Sequence, residues 1–246
     1  ALAWGVPELD LSPVSVVTGP GNQYVAAAKR AVRGFVSIDS EAGPSEIAII
    51  ADSTAHPEFV AADLVSQAEH DELASVVLIT DSWELAERVT LSLERRAAGA
   101  ENSDRVLRAL EGEQSALMVC DSLEHSVWLS NAMAPEHLQV MVEEPEKLLP
   151  RLTNAGAIFV GNYTPVSAGD YAAGSNHVLP THGTAAFSSG LSPMTFLKTQ
   201  QIVDYDKEAL SHIATHVENF ARAENLPAHA EAIAVRFRSE NSGEVG

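Results

Sequence analysis

Apolar positions along the chain keep two alternating rhythms. Short runs dense in Val, Ile and Leu, at 14–19 (VSVVTG), 45–52 (SEIAIIAD) and 75–81 (SVVLITD), give way to stretches at 22–34, 56–70 and 82–98. In the latter, apolar side chains recur every three or four positions. The first rhythm predicts buried strands, the second amphipathic helices. The order continues through SALMVC (115–120), EHSVWLSNAMA (124–134), HLQVMV (137–142), PEKLLPRLTNAG (145–156) and AIFVGN (157–162). Strand and helix in strict turn predict an α/β fold, a mostly parallel sheet flanked by helices. Asp81-Ser82 and Pro145 are expected to open helices, and NAG at 154–156 to close one. After residue 162 the rhythm stops, and 167–183 (SAGDYAAGSNHVLPTHG) predicts a Gly-rich loop. From about Leu191 no strand pattern returns, so the remainder is expected to be an all-helical C-terminal tail. No internal repeat or low-complexity tract is present.

Composition narrows the class. With 246 residues, 46% hydrophobic, the chain can bury a substantial core. Acidic residues outnumber basic ones 34 to 15, a net charge of -19 that repels polyphosphate and anionic membranes. Neither nucleic acid nor a membrane is expected as a partner. Cys120 is the single cysteine, so no intrachain disulfide or Cys-based zinc knuckle can form, and a cytoplasmic location is expected. The opening ALAWGVPELDLSPVSVV has neither a basic n-region nor an apolar stretch of transmembrane length. ALAWG reads as the end of a helix begun upstream, and an N-terminal portion is expected to be absent.

Several stretches could carry chemistry. SQAEHDE sets Gln67 and His70 three apart on one helical face, where amide oxygen and imidazole could share an ion. A solvated polar helix end gives the same pattern. AMAPEHLQV places Glu136 and His137 at the start of a strand, read as the functional edge of a parallel sheet. As a pair titrating near neutrality they could serve as general base and water activator; an ordinary solvent-facing pair is the alternative. The loop at 167–183 offers Asp170, Asn176, His177 and His182, with Gly169, Gly174 and Gly183 permitting close backbone approach. One carboxylate with imidazoles suits zinc or a similar divalent ion. His212 and His216, spaced i, i+4, form a rival two-His pair. Glu224 and His229 flank a proline-broken turn near the end. TGPGNQYV follows a strand and opens a helix, where N–H groups could face a nucleotide phosphate, although a tight turn explains it as well.

Taken together, TGPGNQYV, EAGPSEIAIIAD, DLVSQAEH, APEHL, SAGDYAAGSNHVLPTHG and RAENLPAHAEAIAVRF resemble histidinol dehydrogenase. That family is zinc- and NAD-dependent and oxidises L-histidinol through histidinal to L-histidine. The resemblance implies an incomplete Rossmann-like fold in three parts. These are 1–45 as the end of an NAD-binding domain, 46–190 as the α/β domain with zinc and catalytic residues, and 191–246 as a helical dimerisation segment. It further implies zinc ligation by Gln67, His70, Asp170 and His229, and catalysis by Glu136 and His137. Substrate contacts would come from the same zinc ligands together with Ser45, His137, His177 and Glu224. Asn22 would contact NAD. A domain-swapped homodimer is implied, the tail carrying Glu224 and His229 to the partner's site. Two other classes compete: a zinc hydrolase in which Glu136 activates a metal-bound water, and a non-catalytic zinc-binding dimer.

Overall fold

The computed structural model describes residues 1–21, 23–40 and 43–238. A first compact unit covers Ala1–Leu197, and a second begins at Lys198. Within the first, β1 (Val16–Val17), α1 (Gln23–Val32) and β2 (Ser37–Ile38) form a small parallel βαβ piece. A buried ion pair holds it together. Lys29 Nζ lies 2.6 Å from Asp39 Oδ1 and also donates to the Gly19 carbonyl, while Asp39 Oδ2 accepts the Gly19 N–H at 2.7 Å. The loop between β1 and α1 is thereby clamped to α1 and to the residue that follows β2.

The main sheet begins at Glu46. Its elements are β3 (Glu46–Ala51), α2 (Pro57–Ala68), β4 (Ser75–Thr80), α3 (Trp83–Gly99), α4 (Ser103–Glu111) and β5 (Ala116–Val119). Then come α5 (Leu123–Met133), β6 (His137–Met141), α6 (Pro145–Leu148), β7 (Ala157–Val160) and α7 (Val166–Tyr171). All five strands are parallel, in the order β5-β4-β3-β6-β7. Strands β3 to β5 build outward in one direction and β6 returns beside β3, which makes β3/β6 the switch point of the sheet.

Burial follows from the strand pattern. β3 and β4 are apolar on both faces because helices cover both. One core gathers Ile47, Ile49, Leu64, Val60, Leu78, Val89 and Phe159 beneath α2, α3 and α4; the other gathers Ala48, Ile50, Leu138, Val140 and Val127 beneath α5. Helix starts carry local signals. The Ser82 side chain accepts the Leu85 N–H, and that of Ser122 accepts the His125 N–H, each capping an orphan donor. Helix α5 stops at Ala134, which takes a left-handed conformation (φ 48°) ahead of Pro135.

Three expectations about elements need correction. The stretch 145–156 is not one helix. Pro150 cannot continue the ladder, so α6 passes into a 3-10 turn at Leu149–Arg151. Asn154 then bonds Asn131 instead of capping a helix. Asp170 does not sit on a loop but on the short helix α7. Helix α4 was not anticipated, because its nine residues fall between two stronger patterns. At the opening, Trp4 and Gly5 N–H close a single turn onto the Ala1 carbonyl.

The second unit contains α8 (Lys207–Ala223), capped by the Asp206 side chain, and α9 (Pro227–Ala234). These pack on one another, and Ala214, Ala221 and Ala230 are buried. No helix among the described residues is long and apolar enough to cross a membrane.

Candidate active site

The parallel register sets Ile47 opposite His137, so the first residues of β3 and β6 are neighbours. Around them four polar side chains form one network. Glu136 Oε2 accepts the Ser45 hydroxyl at 2.6 Å and the Glu46 N–H at 2.9 Å. His137 Nδ1 lies 2.9 Å from the Glu46 carbonyl and 3.5 Å from Glu136 Oε2. The carbonyl can only accept, so Nδ1 carries the proton and Nε2 keeps a free lone pair. That Nε2 is buried without a hydrogen-bond partner among the described residues.

Electrostatics follow from burial. Glu136 is 7% exposed, and desolvation pushes its pKa up to about 7, against the opposing bonds from Ser45 and Glu46. The Glu46 and Asp170 carboxylates raise it further. Burial lowers the His137 pKa against the opposing bond to the Glu46 carbonyl, so the imidazole is held neutral with its Nε2 lone pair free.

The pair lies at the amino edge of the sheet, opposite the carboxyl edge where α/β ligands commonly bind. The reading of this strand start as the usual functional edge is therefore corrected. The two side chains nevertheless converge, because Glu136 precedes the strand and bends toward Ser45.

One cavity adjoins the network and a second shares His70 with it. One, of about 450 Å³, is lined by Ser45, His70, Glu136 and His177 with backbone from Gly21 and Gly43. The other, of about 500 Å³, is lined by Asp63, Gln67, His70, Arg105, Ser167 and Asp170. His70 borders both. Helix α2 ends at Ala68, and the His70 N–H bonds the Gln67 carbonyl at 3.2 Å, continuing the turn that keeps both side chains on one cavity. Gln67 is only 2% exposed and its Nε2 has no partner among the described residues, which suits a carboxamide set to meet a ligand group. His137 lines neither cavity; it is buried, its ring 5.9 Å from that of Phe159.

Among the described residues no three His, Cys, Asp or Glu side chains gather as a metal centre. Gln67, His70 and Asp170 supply three donors to one cavity, one short of the tetrahedral set zinc prefers. Glu224 and His229 are exposed residues of the second unit. His212 and His216 are exposed on α8, and no metal group includes them. His182 donates its N–H to Glu46 Oε1 at 2.9 Å from a left-handed backbone (φ 53°). The predicted cofactor contact Asn22 lies outside the described residues.

The sequence reading missed Glu46, whose N–H, carbonyl and carboxylate serve Glu136, His137 and His182 respectively. A charged residue opening an otherwise apolar strand was the available signal. It also missed the Gly169–Phe159 contact: a Cβ at Gly169 would stand 2.5 Å from the Phe159 ring, so only glycine lets α7 close on it.

Comparison with known proteins agrees with this arrangement. The histidinol dehydrogenase family model matches residues 1–237. Histidinol dehydrogenase of Leifsonia xyli subsp. xyli is 56% identical over 237 residues, covering 96% of this chain and 54% of the relative. That of Corynebacterium efficiens is 54% identical over 238 residues, covering 97% and 53%. The crystal structure of histidinol dehydrogenase from Elizabethkingia anophelis superposes with a TM-score of 0.87 at 42% identity, covering 94% of this chain and 53% of that one. The chain thus spans about half the length of the curated relatives it matches. With the family model covering nearly every residue, the chain belongs to the histidinol dehydrogenase family.

Proposed function

We propose that this chain carries the metal and acid-base half of a zinc- and NAD-dependent enzyme. It would oxidise L-histidinol through histidinal to L-histidine. The observation that carries the reading is the buried His137 Nε2, without a partner among the described residues, its lone pair left free because Nδ1 donates to the Glu46 carbonyl. It would take the proton of the substrate hydroxyl as hydride departs. Glu136, poised near neutrality and oriented by Ser45, would accept a proton from the water that adds to the aldehyde in the second oxidation. Water supplies the second carboxylate oxygen, and two hydrides leave in all. NAD, when bound, supplies the hydride acceptor.

Gln67, His70 and Asp170 would hold zinc, with His229 as fourth donor; when bound, the ion would orient the substrate's imidazole and amine. The donor set mixes amide oxygen, imidazole and carboxylate, which suits that borderline ion. Ser45, His177 and Glu224 would complete substrate recognition, and Asn22 would contact NAD. In this reading a homodimer with exchanged tails brings Glu224 and His229 to the site. The single cysteine supports a cytoplasmic enzyme, and the net charge of -19 supports a small-molecule substrate over nucleic acid or a membrane.

The decisive experiment is calorimetric titration of histidinol into the chain with zinc and after chelation, followed by histidinol-dependent NAD reduction. Zinc-dependent binding with reduction is the expected result. Binding that is indifferent to zinc, or cleavage of ester or amide substrates without NAD, would sink the reading. His229→Ala should lose tight zinc binding while His216→Ala keeps it; equal affinity in both would remove His229 from the ligand set.

A further inference from the structure

Helix α2, strand β6 and the turn into α7 are joined through one side chain that the proposed chemistry does not use. Gln139 stands two residues after His137 on β6 and so faces the same side of the sheet. It is fully buried in a strand whose other interior residues are apolar. Its Nε2 donates to Asp63 Oδ2 at 2.8 Å and to the Thr164 carbonyl at 3.3 Å. Asp63 lies one helical turn before Gln67 on α2 and borders the same cavity. Thr164 immediately precedes Pro165, the residue that opens α7 and hence places Asp170.

The orientation of the amide is forced. Both neighbours, a carboxylate and a carbonyl, are acceptors, so the NH₂ must face them and Oε1 must turn away. Oε1 is accordingly buried with no donor among the described residues. Such an orphaned acceptor is destabilising, a penalty that an apolar side chain at this position would avoid. What glutamine contributes here is therefore the pair of donated bonds, not packing.

We propose that Gln139 is a positioning residue: by tying α2 and the turn into α7 to β6, it fixes His137 relative to Gln67, His70 and Asp170. The inference rests on the reading of those last three as metal donors, and the test separates the two. Co²⁺ is titrated into the full chain and followed by visible absorption, which reports affinity and ligand geometry together. His70→Ala probes the metal reading and should abolish the absorption. Gln139→Leu and Asp63→Ala remove the tie, and each should weaken Co²⁺ binding about 10–100-fold and shift the band. Asp63→Asn keeps an acceptor for the Gln139 N–H and should stay close to the unaltered chain.

Unchanged affinity and spectrum in Gln139→Leu, even with a lower melting temperature, overturn the proposal and leave the metal reading standing. A loss in Asp63→Asn equal to that in Asp63→Ala also overturns it, because Asp63 would then act by charge and not through Gln139. Should Gln139→Leu fail to fold, Asp63→Ala decides, and wild-type affinity there refutes the tie. No absorption in the unaltered chain, or equal binding in His70→Ala, brings down the metal reading and this inference together.

Discussion

The two ends of the β3/β6 pair use the same hydrogen-bonding groups for different ends. At the carboxyl end, the Asp52 carboxylate accepts the Thr54 N–H and hydroxyl at 2.9 and 2.6 Å and the Glu143 N–H at 2.8 Å. It closes the connection from β3 into α2, at the surface. At the amino end, Glu136 likewise accepts a hydroxyl and a main-chain N–H, yet it is buried in the wall of the first cavity. Donor chemistry is alike at both ends, and solvent is what differs. Withdrawn from water, Glu136 is pushed up to about 7 and the neighbouring imidazole is held neutral. The comparison teaches that the sheet edge alone does not choose the site; the covering around each edge does.

The sharpest way to break the comparison is to remove one group at each end. His137→Ala should lower histidinol-dependent NAD reduction about 10²–10⁴-fold, the usual worth of a positioned general base. Asp52→Ala should leave turnover unchanged and cost about 1 kcal/mol of stability in denaturant melts, as expected for a turn-closing bond. A large loss of turnover in Asp52→Ala would show that the two ends are not distinct.

Next in size is the stability signature of Glu136. Its folded pKa stands above its ordinary value of 4.5, so the fold favours the protonated form. Stability from this group is full below about pH 4.5 and is lost as pH rises through 7. Glu136→Gln removes that loss, and the variant should gain on the order of 3 kcal/mol relative to the parent between acid pH and pH 8. Parallel pH curves for the two proteins would contradict the burial argument.

A smaller effect tests the covering itself. Gly169→Ala would press on Phe159, which packs beside His137, and should cost about 1–3 kcal/mol while displacing Asp170. Melting temperature and zinc affinity should fall together. Smallest is Ser45→Ala. The Ser45 hydroxyl lowers the Glu136 pKa, so its removal should move the acid limb of the kcat profile toward higher pH. A shift toward lower pH would place Ser45 outside this network.

The alternation of apolar runs with helical periods was enough to read a parallel sheet flanked by helices, because strands buried on both faces must be apolar throughout. Chemistry-bearing residues were legible where they break that pattern. Gln67 and His70 share one helical face, and Glu136 and His137 follow a proline at a strand start. Gln139 also breaks an apolar run, HLQVMV, but nothing nearby in sequence shows its partners, which lie 76 and 25 residues away. Glu46 stayed hidden for the same reason: its three contacts reach residues 90 and more positions distant. Helix α7 was hidden because its six residues are too few to display a period.

By itself the sequence determined the class of fold, the order of its elements and the residue types able to ligate a metal or move a proton. These depend on local periodicity and side-chain chemistry, which the chain carries at every position. Only the tertiary structure decided that β6 returns beside β3, that Glu136 and His137 stand at the amino edge, and that Glu136 is buried while Asp52 is not. Those outcomes depend on strand order and on what covers each edge, and the pK shifts that make the site chemical follow from that covering.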